Sequence, residues 1–168
     1  MTMNARLEAF LEAEQASYAT RTHAPAFTAQ EVAALSHVPG RDLAKAVVAR
    51  DEAGRYLMAV LPASCRVDLV ALARAAGTGK LSLAREEEVL KLFPDCEAGA
   101  MPPFGRLYGL PVYVDDCFAR DETLFFQAGN HREVVGMPYA EFERMAAPVG
   151  GEFCLHARRE DNHERAIS

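Results

Sequence analysis

Between a helix-like stretch and a strand-like one, the chain runs Gly99-Ala100-Met101-Pro102-Pro103-Phe104-Gly105. Two glycines and two prolines within seven residues exclude regular structure, because glycine opens backbone conformations that proline closes. Such a segment predicts a stiff loop whose amides and carbonyls can approach a ligand closely. Upstream, a single lysine interrupts the apolar run Leu43-Ala44-Lys45-Ala46-Val47-Val48. A shaped backbone loop together with a half-buried lysine predicts a pocket for a small polar or anionic group.

The flanking segments predict an α+β chain with strands and helices interspersed. Leu7, Phe10 and Leu11 recur at helical spacing, with Glu8, Glu12 and Glu14 between them. Thr28-Ala29-Gln30-Glu31 has the form of a capping box, and Pro39-Gly40 stops the short helix that follows. Ala44–Arg50 and Arg55–Leu61 read as a hairpin across Asp51-Glu52-Ala53-Gly54. Helices are expected over Val67–Ala76, Arg85–Phe93 and Tyr139–Met145, and strands over Lys80–Leu83, Leu110–Val114, Leu124–Gln127 and Glu133–Val135. No regular parallel rhythm emerges, so a mixed central sheet or distorted barrel with surrounding helices is expected. With 168 residues and no repeat or linker, one domain over 1–168 is expected, with its core at about 18–145 and a polar tail over 160–168.

Bulk properties narrow the function. A net charge of −6 without a basic stripe excludes a long phosphate-backbone grip, so no DNA partner is expected. No apolar run is long enough to span a bilayer, and the N-terminus lacks a signal-peptide core, which predicts a cytoplasmic chain without a membrane partner. Cys65, Cys96, Cys117 and Cys154 form no C-x-x-C pair and are expected as reduced thiols. No histidine pair has metal-ligand spacing, and neither a metal nor a cofactor is expected.

Further landmarks recur in order: His23-Ala24-Pro25, Thr28-x-x-Glu31, the run carrying Lys45, Ala59-Val60-Leu61-Pro62-Ala63, Gly99-x-x-x-Pro103, Leu110-Pro111-Val112-Tyr113-Val114-Asp115 and Ala128-Gly129. The ordered set resembles the YbaK-like aminoacyl-tRNA deacylases, which share their domain with the editing insertion of bacterial prolyl-tRNA synthetases. The resemblance implies a freestanding trans-editing hydrolase that cleaves the aminoacyl ester at the 3′ acceptor end of mischarged tRNA. A synthetase or elongation factor enters as a further partner that delivers the substrate.

Residue by residue, the resemblance implies that Lys45 holds the 3′-terminal end and that the main chain at Gly99 and Pro103 orients the scissile carbonyl. Ala100, Met101, Pro102 and Phe104 of the same loop, with Gly129 and His23, complete the expected substrate-binding set. Asp115 matches a structural landmark. In the synthetase insertion a histidine near the final strands lines the pocket; the stretch Thr123-Leu124-Phe125-Phe126 holds none. Ester hydrolysis on this plan needs an oriented carbonyl, a water and oxyanion stabilisation rather than a side-chain nucleophile. Two other readings stay open: a non-catalytic module binding a nucleotide or aminoacyl ligand, and a Schiff-base enzyme using Lys45 as nucleophile. Cys96, beside the loop, is the thiol best placed to touch a substrate.

Overall fold

The computed structural model describes residues 3–120 and 122–156, so the expected tail over 160–168 lies outside the described residues. Helix α1 (Ala5–Ala13) opens on Asn4, whose side chain accepts the Leu7 N–H at 3.1 Å. That bond satisfies one of the donors a helix start leaves unpaired. Leu7 and Leu11, one turn apart, are fully buried. Strand β1 (Ala19–Thr22) leads to α2 (Ala29–Ser36), where Thr28 accepts the Glu31 N–H at 3.1 Å. Only half of the expected capping box forms, because the Glu31 carboxylate accepts from Phe27 rather than from Thr28.

The hairpin of β2 (Leu43–Asp51) and β3 (Tyr56–Pro62) carries the sheet's centre, and its register pairs Lys45 with Leu61. One Asp51 carboxylate oxygen accepts the Ala53 and Arg55 N–H groups, both at 2.9 Å, which closes the turn. Next come β4 (Cys65–Val67), α3 (Leu69–Ala76), β5 (Leu81–Leu83) and α4 (Glu86–Leu92). The glycine–proline loop and a short 3-10 turn at Gly105–Tyr108 then lead to β6 (Val112–Asp115). The chain continues with β7 (Thr123–Gln127), β8 (Glu133–Pro138), α5 (Tyr139–Ala146), β9 (Val149–Gly151) and β10 (Cys154–His156).

Seven strands lie in the order β1-β8-β7-β2-β3-β6-β9, and β5 adds to β2 as an eighth. The β2–β7, β3–β6 and β6–β9 pairs are parallel and the others antiparallel, so the sheet is mixed, as the interspersed pattern predicts. Alternation along β2 divides its side chains between the two faces. Ala44 and Val48 join Phe104, Phe126 and Phe142 in the larger core, with Leu7 and Leu11 of α1. On the opposite face, Leu43 packs with Val32 of α2, and Ala49 packs with Leu72 of α3. Lys45 has the parity of Leu43, so it points to the face between these two smaller clusters.

Three expectations are corrected. Val67 belongs to β4, paired with Cys154, and α3 begins only after Asp68, whose carboxylate accepts the Val70 and Ala71 N–H groups. The expected elements also end too early at Met145, since Val149–Gly151 and Cys154–His156 form β9 and β10. Cys65 and Cys154 are not reduced thiols but form a disulfide. Antiparallel pairing of β4 with β10 brings their Cα atoms to 5.5 Å, within bridging distance, across 89 residues of sequence. Spacing along the chain carries no trace of that approach.

Candidate active site

Lys45 sits near the start of β2, half-buried, and its ammonium donates to the backbone carbonyl of Cys65 at the head of β4. Burial holds its pKa below the ordinary lysine value, and the nearby Arg66 charge pushes the same way. A lysine so placed is a partly dry cation with a weak neutral partner, which an anionic or strongly polar ligand can outcompete.

Parallel pairing matches Leu43 with Phe125 and Ala44 with Phe126. Two residues further on each strand stand Lys45 and Gln127, which therefore share one face where β2 and β7 cease to pair. The Gln127 amide donates to the Gly99 carbonyl at 3.3 Å. This ties the glycine–proline loop to the end of β7, on the face that Lys45 also occupies.

The loop is pinned on its other side by main chain. Glu97 donates to the Gly129 carbonyl at 2.9 Å, and Gly129 donates back to the Ala100 carbonyl at 3.0 Å. Gly129 has φ +92°, and a Cβ there would stand 2.7 Å from the Asn4 Cβ. Only glycine fits that position, so Gly129 anchors the loop against the start of α1. Gly99, exposed with φ +80°, turns the chain at the loop's entrance. Met101 and Phe104 send their side chains into the larger core, where Phe104 packs 5.3 Å from both Phe10 and Phe126. Ala100, Pro102 and Pro103 are buried as well. Along residues 99–105 Gly99 alone is exposed, on a support that Phe104 fixes to the core.

Sequence reasoning overlooked His131. Its ring lies against Gly99, with Cε1 3.8 Å from where a Gly99 Cβ would stand. It is 6% exposed, its Nε2 lies 3.8 Å from a Glu97 oxygen, and the exposed Phe27 ring is 5.2 Å away. Residues 123–126 hold no histidine, and the turn after β7 places the His131 ring beside Gly99. The signal was present in Ala128-Gly129-Asn130-His131, directly after the recognised glycine landmark. His23 joins this region through the backbone, its N–H donating to the Arg132 carbonyl at 2.9 Å.

Among the described residues, His23 Nε2, Gln127 Oε1 and His131 Nδ1 are buried without a protein hydrogen-bond partner, as is Glu133 Oε2. Buried polar atoms are rarely left unsatisfied, and a cluster of them beside one loop marks a place that water or a ligand completes. Two surface hollows, of about 580 Å³ beside Arg50 and Lys80 and about 370 Å³ beside Tyr18 and Phe125, include neither Lys45 nor Gly99.

Cys96 stands apart from this chemistry. Its thiol lies 3.3 Å from the Tyr108 hydroxyl, and burial pushes its pKa up to about 11. A thiol held protonated at neutral pH is a poor nucleophile. Asp115 accepts the Cys117 N–H and the Phe153 N–H, both at 2.8 Å, which is structural work.

The fold is a mixed sheet whose one face carries Lys45 and Gln127 beside a main-chain loop fixed to the core. The aminoacyl-tRNA editing domain matches residues 23–145, and the chain belongs to that family. It is 31% identical over 147 residues to the multifunctional Ser/Thr-tRNA deacylase ProXp-y of Escherichia coli K12, covering 85% of this chain and 87% of that protein. Two solved structures share the fold. A hypothetical protein superposes with TM-score 0.79 at 21% identity, covering 89% of this chain and 99% of its own. A protein described as a candidate trans-editing enzyme for prolyl-tRNA synthetase gives 0.74 at 22% identity, covering 89% and 95%. The chain is thus a trans-editing aminoacyl-tRNA deacylase, a hydrolase with tRNA as its partner. Among the described residues, no helix is long and apolar enough to cross a membrane.

Proposed function

We propose that the chain clears serine and threonine from mischarged tRNA, with Lys45, the Gly99–Pro103 main chain and His131 as its working parts. The observation that carries this reading is the set of unpartnered buried polar atoms of Gln127 and His131 beside Gly99, on the face Lys45 shares. The relative's name supplies the two hydroxyl amino acids. Buried acceptors and donors suit a hydroxylated side chain, since a polar substrate satisfies groups that an apolar one leaves unpaired.

In this reading the Lys45 ammonium leaves the Cys65 carbonyl and takes the 3′-terminal phosphate or ribose. The loop at Gly99 orients the ester carbonyl, so that a water can attack and the developing charge meets fixed dipoles. The bond that breaks joins the acyl carbon to the ribose oxygen; water supplies hydroxyl to the acid and a proton to the ribose. His131, whose buried Nδ1 is unpartnered among the described residues, binds the substrate beside Gly99 in this reading. Phe27, 74% exposed beside His131, offers a stacking face to the terminal adenine. A net charge of −6 fits an enzyme that grips only the acceptor end, with a synthetase or elongation factor delivering it in the cytoplasm.

The test is a deacylation panel on tRNAs charged with alanine, serine, cysteine, threonine and proline, with Lys45→Ala as control. Selective loss of the seryl and threonyl esters above the spontaneous rate, slowed at least about tenfold by the substitution, is the expected result. A folded protein inactive on both esters, or a Lys45→Ala protein as active as wild type, overturns it.

A further inference from the structure

Behind Lys45 lies a second cluster that editing does not use. The carbonyl that holds its ammonium belongs to Cys65, and the Cys65 side chain is bonded to Cys154. A third cysteine stands beside this bond. The Cys117 and Cys154 sulfurs and a carboxylate oxygen of Asp115 all lie within 4.8 Å of one another. Cys117 is exposed, whereas Cys65 is 1% and Cys154 8% exposed. The disulfide is therefore shielded from solvent thiols, while the residue next to it lies at the surface.

The cluster is held in place from two sides. Asp115, itself 2% exposed, accepts the Cys117 N–H with one carboxylate oxygen and the Phe153 N–H with the other. One side chain thus fixes the backbone of Cys117 and of the residue preceding Cys154. The same three ligand-type groups have metal-binding proximity, but the Cys154 sulfur is already spent in the disulfide. An arrangement of one exposed sulfur against one half of a buried disulfide suits exchange instead.

We infer that Cys65, Cys154 and Cys117 form a thiol–disulfide exchange site, with Cys117 as its solvent-facing thiol. The Cys117 thiolate attacks the Cys154 sulfur; the Cys117–Cys154 bond forms, the Cys65–Cys154 bond breaks, and Cys65 leaves as a thiolate. The proton lost by Cys117 is returned to Cys65, so the step is an isomerisation that needs no oxidant or reductant. Its product frees β4 from its covalent tie to β10. Because β4, among the described residues, pairs in a sheet with β10 alone, the exchange loosens the strand whose carbonyl holds Lys45. The link to editing rests on the role proposed for Lys45, but the exchange itself stands without it.

Peptide mapping reads the exchange directly. Wild type and Cys65→Ser are held at pH 8.5, where an ordinary thiol is about half ionised. The variant is held in oxidised glutathione, which supplies the oxidant its dithiol needs. Both are acid-quenched, alkylated and digested without reduction. The expected product is a Cys117–Cys154 peptide, as a minor species in wild type and as the main disulfide in Cys65→Ser. Cys96, placed elsewhere beside Tyr108, is the internal control and should appear in at least tenfold less crosslinked peptide. Absence of the Cys117–Cys154 peptide from both proteins overturns the proposal. So does Cys117 pairing with Cys96 as often as with Cys154. If Cys65→Ser fails to fold, the wild-type measurement decides alone. Deacylation is not part of the readout, so failure of the Lys45 reading and failure of the exchange are told apart.

Discussion

The Lys45 ammonium is held by the backbone carbonyl of Cys65, so the candidate anchor for a tRNA end is occupied by the protein's own main chain. The bond to substrate that replaces that contact in the proposed reading sets the expected loss of activity on removing the ammonium. A charge-assisted hydrogen bond contributes about 1.5–3 kcal/mol. Lys45→Ala should therefore lower deacylation by about 10- to 150-fold. Thermal unfolding should be little changed, because the substitution also removes a partly dehydrated charge. Steady-state deacylation beside a melting curve checks both, and a large drop in melting temperature would assign Lys45 a structural role instead.

The same residue sets an alkaline limit. Burial, reinforced by Arg66, lowers the Lys45 pKa, so its proton leaves at a lower pH than that of ordinary lysine. Below the lowered value the group is an ammonium and binds; above it the amine is neutral and the anchor is lost. Enzyme-catalysed deacylation, after subtraction of spontaneous hydrolysis, should fall as pH rises towards and through that value. Lys45→Arg, which stays charged over the whole range, should retain partial activity and lose the alkaline fall. An identical profile in both proteins would remove Lys45 from the titration.

Much of this architecture was legible because local chemistry dictates it. The Asp51 carboxylate that closes the β2–β3 turn and the left-handed Gly77 that ends α3 are encoded within four residues of where they act. What escaped depends on partners far along the chain. Strands β4 and β10 are three residues each, too short for alternation to show, and exist because they pair across the molecule. The disulfide follows from that pairing. His131 was visible as a residue but not as a site, because only the β7–β8 turn brings it to Gly99.

Gly129 tests how rigidly the loop must be held. Alanine there meets a positive φ of +92° and a Cβ contact of 2.7 Å with Asn4. Strain of about 1–3 kcal/mol is expected, so Gly129→Ala should unfold at lower denaturant and lose activity with it. Gly99→Ala carries the backbone strain but no clash, its nearest neighbour being the His131 ring at 3.8 Å. Its stability loss should be the smaller of the two and its activity loss disproportionately large, since the strain falls on the backbone that presents the ester. Equal ratios of activity to stability loss in the two variants would place Gly99 outside the site.

Cys96 and His131 separate a thiol mechanism from a positioned-water one. The Cys96 proton is held up to a pKa of about 11 by burial, so at pH 7 only about one thiol in ten thousand is ionised. Cys96→Ala should leave deacylation within about twofold of wild type, a change too small to involve a lost nucleophile. His131 lies against the loop with a buried nitrogen that no group among the described residues satisfies. His131→Ala should cost about 10- to 100-fold, the range for one hydrogen bond to a reacting or recognised group. If the loss falls on the seryl and threonyl esters alike, His131 recognises what they share; if on one only, it reads the side chain. A Cys96→Ala protein without activity but with an unchanged melting curve would reverse the assignment and make the thiol the nucleophile.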